Sequence, residues 1–236
     1  SIIDNSKISS SPSASDIAFI VGPQINAASR IDDSSLASKI LITKDENEIS
    51  TVARKLFLIN EKRKLIEDNI YKESLEQIEI QKNNKFFIVY NTNWHHGVLG
   101  IVASKIVALY NKPTFVLSFN NNVGIGSGRS IDEIDIGSIV LELKNQKLIE
   151  EGGGHKMAVG IRIKKNKLNN IKKYLEDKFS SYNKETFEKK IFYDLPLSVN
   201  QINNNFLYML EKMEPYGKGN EEPKFLINDI MIEKIN

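Results

Sequence analysis

Three short stretches of the sequence place donors and cations where they could hold an oxyanion. The first is Glu151-Gly-Gly-Gly-His155-Lys-Met-Ala-Val-Gly160. Its three glycines free the main chain for positive φ and for close approach of a ligand, and a histidine and a lysine follow at once. Exposed amides beside two potential cations suit a phosphate. A tight turn before a strand, with His155 packed, is the alternative. The second stretch is Gly124-Ile-Gly-Ser127-Gly-Arg129-Ser130, where glycines alternate with a hydroxyl and a guanidinium, a fork suited to phosphate. A glycine-rich strand with an exposed arginine reads equally well. No helix follows these glycines directly, so they are neither a dinucleotide fingerprint nor a P-loop. Ser127 also lacks the elbow that surrounds a nucleophilic serine. The third stretch is Asn93-Trp94-His95-His96-Gly97. Adjacent histidines rarely converge on one ion, and no carboxylate-rich motif lies nearby. A phosphate contact or a helix cap therefore fits better than a metal site.

Cysteine is absent, which removes disulfides, thiolate catalysis and cysteine-based zinc sites. The chain shows no His-x-Asp, Asp-His-His or other acidic cluster of the kind that holds two metals in a phosphodiester hydrolase. The net charge is only +2, so any nucleic-acid surface must come from local placement. No run of 18 apolar residues marks a membrane span and no leader-like pattern opens the chain, so the expectation is a cytoplasmic protein with no membrane partner.

Positioning these stretches requires an α/β frame. Residues through about 16 read as loop, 17–21 as a short apolar run broken by Gly22-Pro23, and 25–42 as helical. Ile49, Val52, Ala53, Leu56, Ile59, Ile66 and Ile70 repeat at helical spacing, predicting one long connecting helix over residues 46–80. From residue 85 strands and helices alternate: strands at 86–90, 114–119, 123–130 and 157–163, and helices at 98–110, 136–148 and 168–179. The order β-α-β-β-α-β-α predicts a mixed sheet flanked by helices. Residues 181–190 read as a linker and 202–213 as a helix. A last strand near Phe225 is expected to stop without partners.

Read in order, these motifs resemble the RecJ family of single-strand-specific DNA exonucleases, within the wider DHH phosphoesterases. Gly22-Pro-Gln-Ile-Asn26-Ala-Ala-Ser-Arg30 resembles the last motif of the family's catalytic DHH domain. Trp94-His95-His-Gly97-Val-Leu-Gly100, Gly126-Ser127-Gly-Arg129-Ser130 and Gly153-Gly154-His155-x-Met-Ala-x-Gly160 resemble its DHH-associated domain. Glu214-Pro-Tyr-Gly-x-Gly-Asn220-x-x-Pro223-x-Phe225 is similar to the entry into the RecJ oligonucleotide-binding fold. Gln24 and Ser29 depart from the family's usual Arg and Gly, removing one cation and adding one Cβ.

The resemblance implies a division into residues 1–45 from the DHH domain, a connecting helix over 46–82, the DHH-associated substrate-binding domain over 83–183, and the start of an oligonucleotide-binding β-barrel over 184–236. It implies a 5′-to-3′ exonuclease of DNA repair and recombination, using Mn2+ or Mg2+ held by motifs absent from this sequence. The chain would then be a fragment, a decayed reading frame or half of a split enzyme, inactive alone, whose partners are single-stranded DNA and possibly a separate DHH domain. A non-catalytic single-strand-binding piece and a phosphoesterase of short oligonucleotides are the alternatives. By motif, Ser127 and Arg129 would hold the 5′ end, with Ser130 among the phosphate-binding residues. The Gly153-Gly154-His155 loop would lie near the scissile phosphate, and His95, Asn26 and Arg30 would complete the wall.

Overall fold

The computed structural model describes residues 2–5 and 12–228, which form two units. One spans Gln24–Lys189; the other combines Ser1–Pro23 with Lys190–Asn236.

The shorter elements come first: α1 (Ile2–Asn5), α2 (Ala14–Asp16), α3 (Gly22–Ile31) and α4 (Ser35–Ile42). The apolar run at Ile17–Val21 is a π-helical turn that continues into α3 through Gly22-Pro23. Gly22 N–H donates to Ile17 O, closing the wider π turn, and Pro23 directly after it supplies no N–H to this continuous helix. A break at residues 32–34 divides the helix expected over 25–42.

Helix α5 (Glu46–Gln81) starts at Asp45, whose carboxylate accepts from the amides of Asn47 and Glu48. Its 36 residues extend about 54 Å. One face is buried through Val52, Leu56, Ile59, Ile70 and Ile78. Glu67, also buried, receives Arg63 of the same helix and Lys105 across the helix pair at 2.5 Å.

The sheet follows: β1 (Phe87–Thr92), α6 (His96–Tyr110), β2 (Thr114–Asn120), β3 (Val123–Arg129), α7 (Ile136–Asn145), β4 (Glu151–His155), β5 (Ala158–Lys164) and α8 (Leu168–Ser180). Its order is β1-β2-β3-β5-β4, with β1 parallel to β2 and the other pairs antiparallel. The mixed α/β fold is thus as expected, with one addition: the glycine triplet is itself a strand, at the sheet edge. Period-2 reading depends on alternating side chains, and Gly152, Gly153 and Gly154 have none.

Helices α7 and α8 cover one face, burying Phe115, Leu117, Val159, Ile161, Ile139, Leu143, Ile171 and Leu175 together. Helices α5 and α6 cover the other face over β1 and β2, around Phe87, Val89, Val116, Val98 and Val102. Over β3, β5 and β4 that second face opens to solvent at Ile125, Gly153 and Gly160.

Strand β1 lies at the opposite edge, where its polar groups meet side-chain amides of α5. Gln77 Nε2 donates to Tyr90 O (2.9 Å) while Tyr90 N–H donates to Gln77 Oε1 (3.0 Å). Gln81 makes the same pair with Ile88 at 3.0 and 3.2 Å. One helical turn earlier, Glu73 accepts from Asn91 Nδ2 (2.7 Å) and Trp94 Nε1 (2.8 Å). Four residues of helix rise about 6 Å, close to two residues of strand, so the ladder keeps step.

Residues expected to form a linker are docked instead. Tyr182 and Phe187 pack on the core, and Lys189 Nζ donates to Ala108 O at 3.2 Å. In the second unit, β6 (Leu195–Pro196) pairs in parallel with β7 (Phe225–Leu226), so the strand expected to lack partners has one. Helix α9 (Asn204–Glu211) sets Phe206 edge-to-face on Phe225, ring centroids 5.3 Å apart. Asn220 Nδ2 donates to Met213 O and Pro215 O, closing the turn after the helix.

Candidate functional site

The alternation Gly124, Gly126, Gly128 in β3 has a packing cause. These glycines face the core, where a Cβ at Gly126 would sit 2.1 Å from Leu117 and one at Gly124 2.6 Å from Phe119. The intervening residues Ile125, Ser127 and Arg129 therefore point to the opposite, partly open face. There Arg129 Nη1 donates to Ser127 Oγ (2.7 Å) and Gly128 O (2.8 Å), fixing the guanidinium.

Helix α6 comes against this pair because Gly100 has no side chain: a Cβ there would lie 2.6 Å from Arg129 Nη2. One turn earlier Gly97 meets α3, where a Cβ would stand 1.9 Å from Arg30 O. Arg30 Nη1 in turn donates to Gly97 O at 3.3 Å. Burial, and then the nearby Arg30 charge, push the Arg129 pKa below its ordinary value of 12.5. Neither guanidinium has a carboxylate partner among the described residues. Two cations that close invite an anion.

His95 caps α6, its Nδ1 accepting from Gly97 N–H at 3.2 Å. An accepting Nδ1 leaves the ring proton on Nε2. Burial, then His96 and Lys62, lower the His95 pKa from 6.5, consistent with a neutral ring. His96 stacks on it, centroids 5.1 Å apart.

Across the sheet, Ser127 is level with Gly160 and Gly153. A Cβ at either glycine would meet nothing within 4 Å, so their backbones form a bare floor. Gly154 differs, with φ at +151° and Ala158 O only 2.2 Å from where a Cβ would be. His155 is two strands from Arg129 in the next row, roughly 10 Å away by strand spacing. It is exposed, and its Nδ1 accepts from Met157 N–H at 3.3 Å in the β4–β5 turn.

The arrangement thus brings Arg30, Ser127 and Arg129 to the α3–α6–β3 contact, with the floor of Gly153 and the turn of His155 farther across the sheet, while His95 sits at the start of α6 beside His96. Asn26 is exposed on α3 one turn before Arg30. Ser130 is turned away: it is buried, and its hydroxyl donates to Ile134 O at 2.8 Å. The expectation that Ser130 holds a phosphate is corrected to a role in closing the turn after β3. Gly97, Gly100 and Gly160 matter as much as the charged residues, and their presence within the three motifs was the signal for them. Gln24 is buried on α3, whereas Ser29 is exposed with its hydroxyl on Asn26 O, so its Cβ is accommodated.

Among the described residues no three His, Asp or Glu side chains converge to hold a metal ion. These described residues do not fit a divalent cation. No helix among them is long and apolar enough to cross a membrane.

Residues 83–181 match the DHHA1 domain and residues 193–236 the RecJ OB domain. The chain is 28% identical over 225 residues to the single-stranded-DNA-specific exonuclease RecJ of Haemophilus influenzae, covering 90% of this chain and 38% of that one. Its likeness to the RecJ of Bacillus subtilis is 26% over 223 residues, covering 93% and 28%. The crystal structure of RecJ in complex with Mn2+ from Thermus thermophilus is similar with a TM-score of 0.83 at 26% identity, over 96% of this chain and 33% of that one. Its Mg2+ complex gives 0.82 at 26%, over 95% and 34%. The chain spans less than two fifths of each of these relatives.

Proposed function

We propose, from the premise that this chain belongs to the RecJ family and corresponds to its C-terminal part, that it grips the 5′ end of a DNA strand for a 5′-to-3′ single-strand exonuclease. The observation that carries this is the half-buried Arg129, held by Ser127 and crowded by Arg30, with no carboxylate partner among the described residues. A terminal phosphate is the dianion that fits such a pair of guanidinium groups. The bare main chain at Gly153 and Gly160 lets a strand approach the sheet closely, with His155 at its rim, and His95 would add its Nε2–H as a donor. Asn26 extends the same wall along α3.

In the whole protein, residues 1–45 would complete the catalytic DHH domain and 46–82 would connect it to the substrate-binding domain at 83–183. Residues 184–236 would begin the oligonucleotide-binding barrel. The Mn2+ or Mg2+ of the solved relatives would be held by residues other than these, and the work of the enzyme would belong to cytoplasmic DNA repair and recombination. A second reading, that this chain alone binds but does not hydrolyse, is favoured by the lack of a metal-binding cluster among the described residues.

The test is binding of 5′-phosphorylated and 5′-hydroxyl single strands to the chain and to Arg129→Ala. A charge-assisted contact of roughly 1.5–3 kcal/mol corresponds to about tenfold or more in affinity. The variant should lose that factor for the phosphorylated strand alone. Equal binding of both strands by the unaltered chain would remove the 5′-phosphate from Arg129. Manganese-dependent hydrolysis by this chain would overturn the binding-only reading.

A further inference from the structure

The open face of the sheet carries a second depression that none of these roles uses. A cavity of about 430 Å³ is lined by Asn93, Trp94, His96, Ser118, Asn121 and Arg162, together with the exposed apolar surfaces of Val123 and Ile125. It lies one step along the sheet from the phosphate cradle. The row Ser118, Ile125, Arg162, Glu151 is the next same-face row after Val116, Ser127, Gly160, Gly153. Two residues along a strand separate the rows by roughly 7 Å, a distance one nucleotide of an extended strand can bridge. Ile125 and Arg162 also border the depression over Gly153 and Gly160, so the open surface is continuous between the two.

The lining differs in kind from the cradle. Its one permanent cation, Arg162, has Glu151 Oε1 3.6 Å from its Nη1, which offsets its charge. The amides of Asn93 and Asn121 and the hydroxyl of Ser118 each present a donor and an acceptor. A phosphate accepts only, whereas the edge of a nucleobase presents both. Val123 and Ile125, 38% and 45% exposed, offer an apolar surface to a ring, and a guanidinium plane stacks on one. Asn93 and Asn121 both adopt positive φ, 64° and 54°, so the two loops that supply these amides are tightly turned.

We infer that this cavity receives one nucleobase of the bound strand, next to the nucleotide whose 5′-phosphate meets Arg129. The base rests on Ile125 and Val123 against Arg162, with its edge toward the asparagine amides. Amides that can turn over accept any of the four bases, so the subsite carries affinity without sequence preference. The inference rests on the 5′-end reading given above for its register, but the cavity's chemistry stands apart from it.

Trp94 is the chain's single tryptophan and lines the cavity, so its fluorescence reports occupancy. Two sets of titrations test the inference on the full chain, on Arg162→Ala and on the milder Arg162→Gln. One uses adenosine and cytidine, which carry no phosphate. The other uses 5′-phosphorylated and 5′-hydroxyl oligonucleotides with a single abasic residue moved stepwise from the 5′ end. Nucleosides should shift Trp94 emission, and Arg162→Ala should weaken them at least fivefold, Arg162→Gln less. One abasic position should lose roughly five- to fiftyfold in affinity, an effect that disappears in Arg162→Ala. Silent nucleosides together with equal affinity at every abasic position overturn the base site. If 5′-phosphate dependence persists in that case, the Arg129 reading survives alone. If nucleosides bind through Arg162 while the 5′-phosphate makes no difference, the cavity survives and the 5′-end register falls.

Discussion

His95 holds the first turn of α6 through an unprotonated Nδ1, and burial, His96 and Lys62 all disfavour its charged form. With a folded pKa below the unfolded value near 6.5, its contribution is present above pH 6.5 and lost as pH falls through the lowered value. Urea midpoints measured downward from pH 7.5 should therefore fall in that window. His95→Asn keeps an acceptor and should flatten the change, while His95→Ala should cost about 1 kcal/mol at neutral pH. The glycines give a sharper contrast. Gly153→Ala meets open space and should leave the melting temperature unchanged while weakening strand binding; Gly154→Ala meets Ala158 O and should unfold at lower temperature. The sequence left the histidine of this loop between a phosphate contact and a helix cap, and the cap is visible only in the bond from Gly97 N–H. Ser130 was no more readable. Its hydroxyl direction depends on the turn to Ile134, and residue type carries no trace of that.

Among the elements, α6 is the one that assembles the site. It touches α3 at Gly97 and β3 at Gly100, so two glycines one turn apart set the distance between Arg30 and Arg129. Gly97→Ala should force α3 and α6 apart, costing roughly 1–3 kcal/mol by overpacking. A urea melt would measure that, and strand binding should fall with it; an unchanged melt would mean that α3 is not held here. Strands β1, β2 and β5 were legible because each buries apolar side chains in a short run, as Phe87, Ile88 and Val89 do in β1, whereas β3, whose buried positions are glycines, was legible through its pairing with β2 across Asn120-Asn121-Asn122. Strand β4 was not, since its pairing is made by glycine main chain. The division of 25–42 into two helices was equally hidden, as residues 32–34 break a pattern that remains helical on either side.

For the whole molecule, a net charge of +2 means that strand affinity cannot come from bulk attraction. On the proposed reading it comes from the few cations placed at the open face. Each neutralised phosphate adds a salt slope of about −0.7 for single strands, so Arg129→Ala should flatten the plot of log affinity against log salt by about that amount. A base contact should change affinity with little change of slope, which separates Arg162→Ala from Arg129→Ala in the same measurement. Long-range organisation was partly legible in the ordered motifs. The pairing of β6 with β7 was not, because two residues on each side, thirty apart in sequence, leave no periodic signal.

Gln77 and Gln81 have a further consequence in time rather than space. An edge strand normally surrenders its outward amide protons to deuterium quickly, while those facing a neighbour exchange slowly. Here the outward amides of Ile88 and Tyr90 are bonded to side chains that only leave when α5 lifts off the sheet. Their exchange rates should match those of Phe87 and Val89, as though another strand lay beside them. In a Gln77→Ala, Gln81→Ala chain those two protons alone should become fast, turning β1 into a clock for the docking of the long helix.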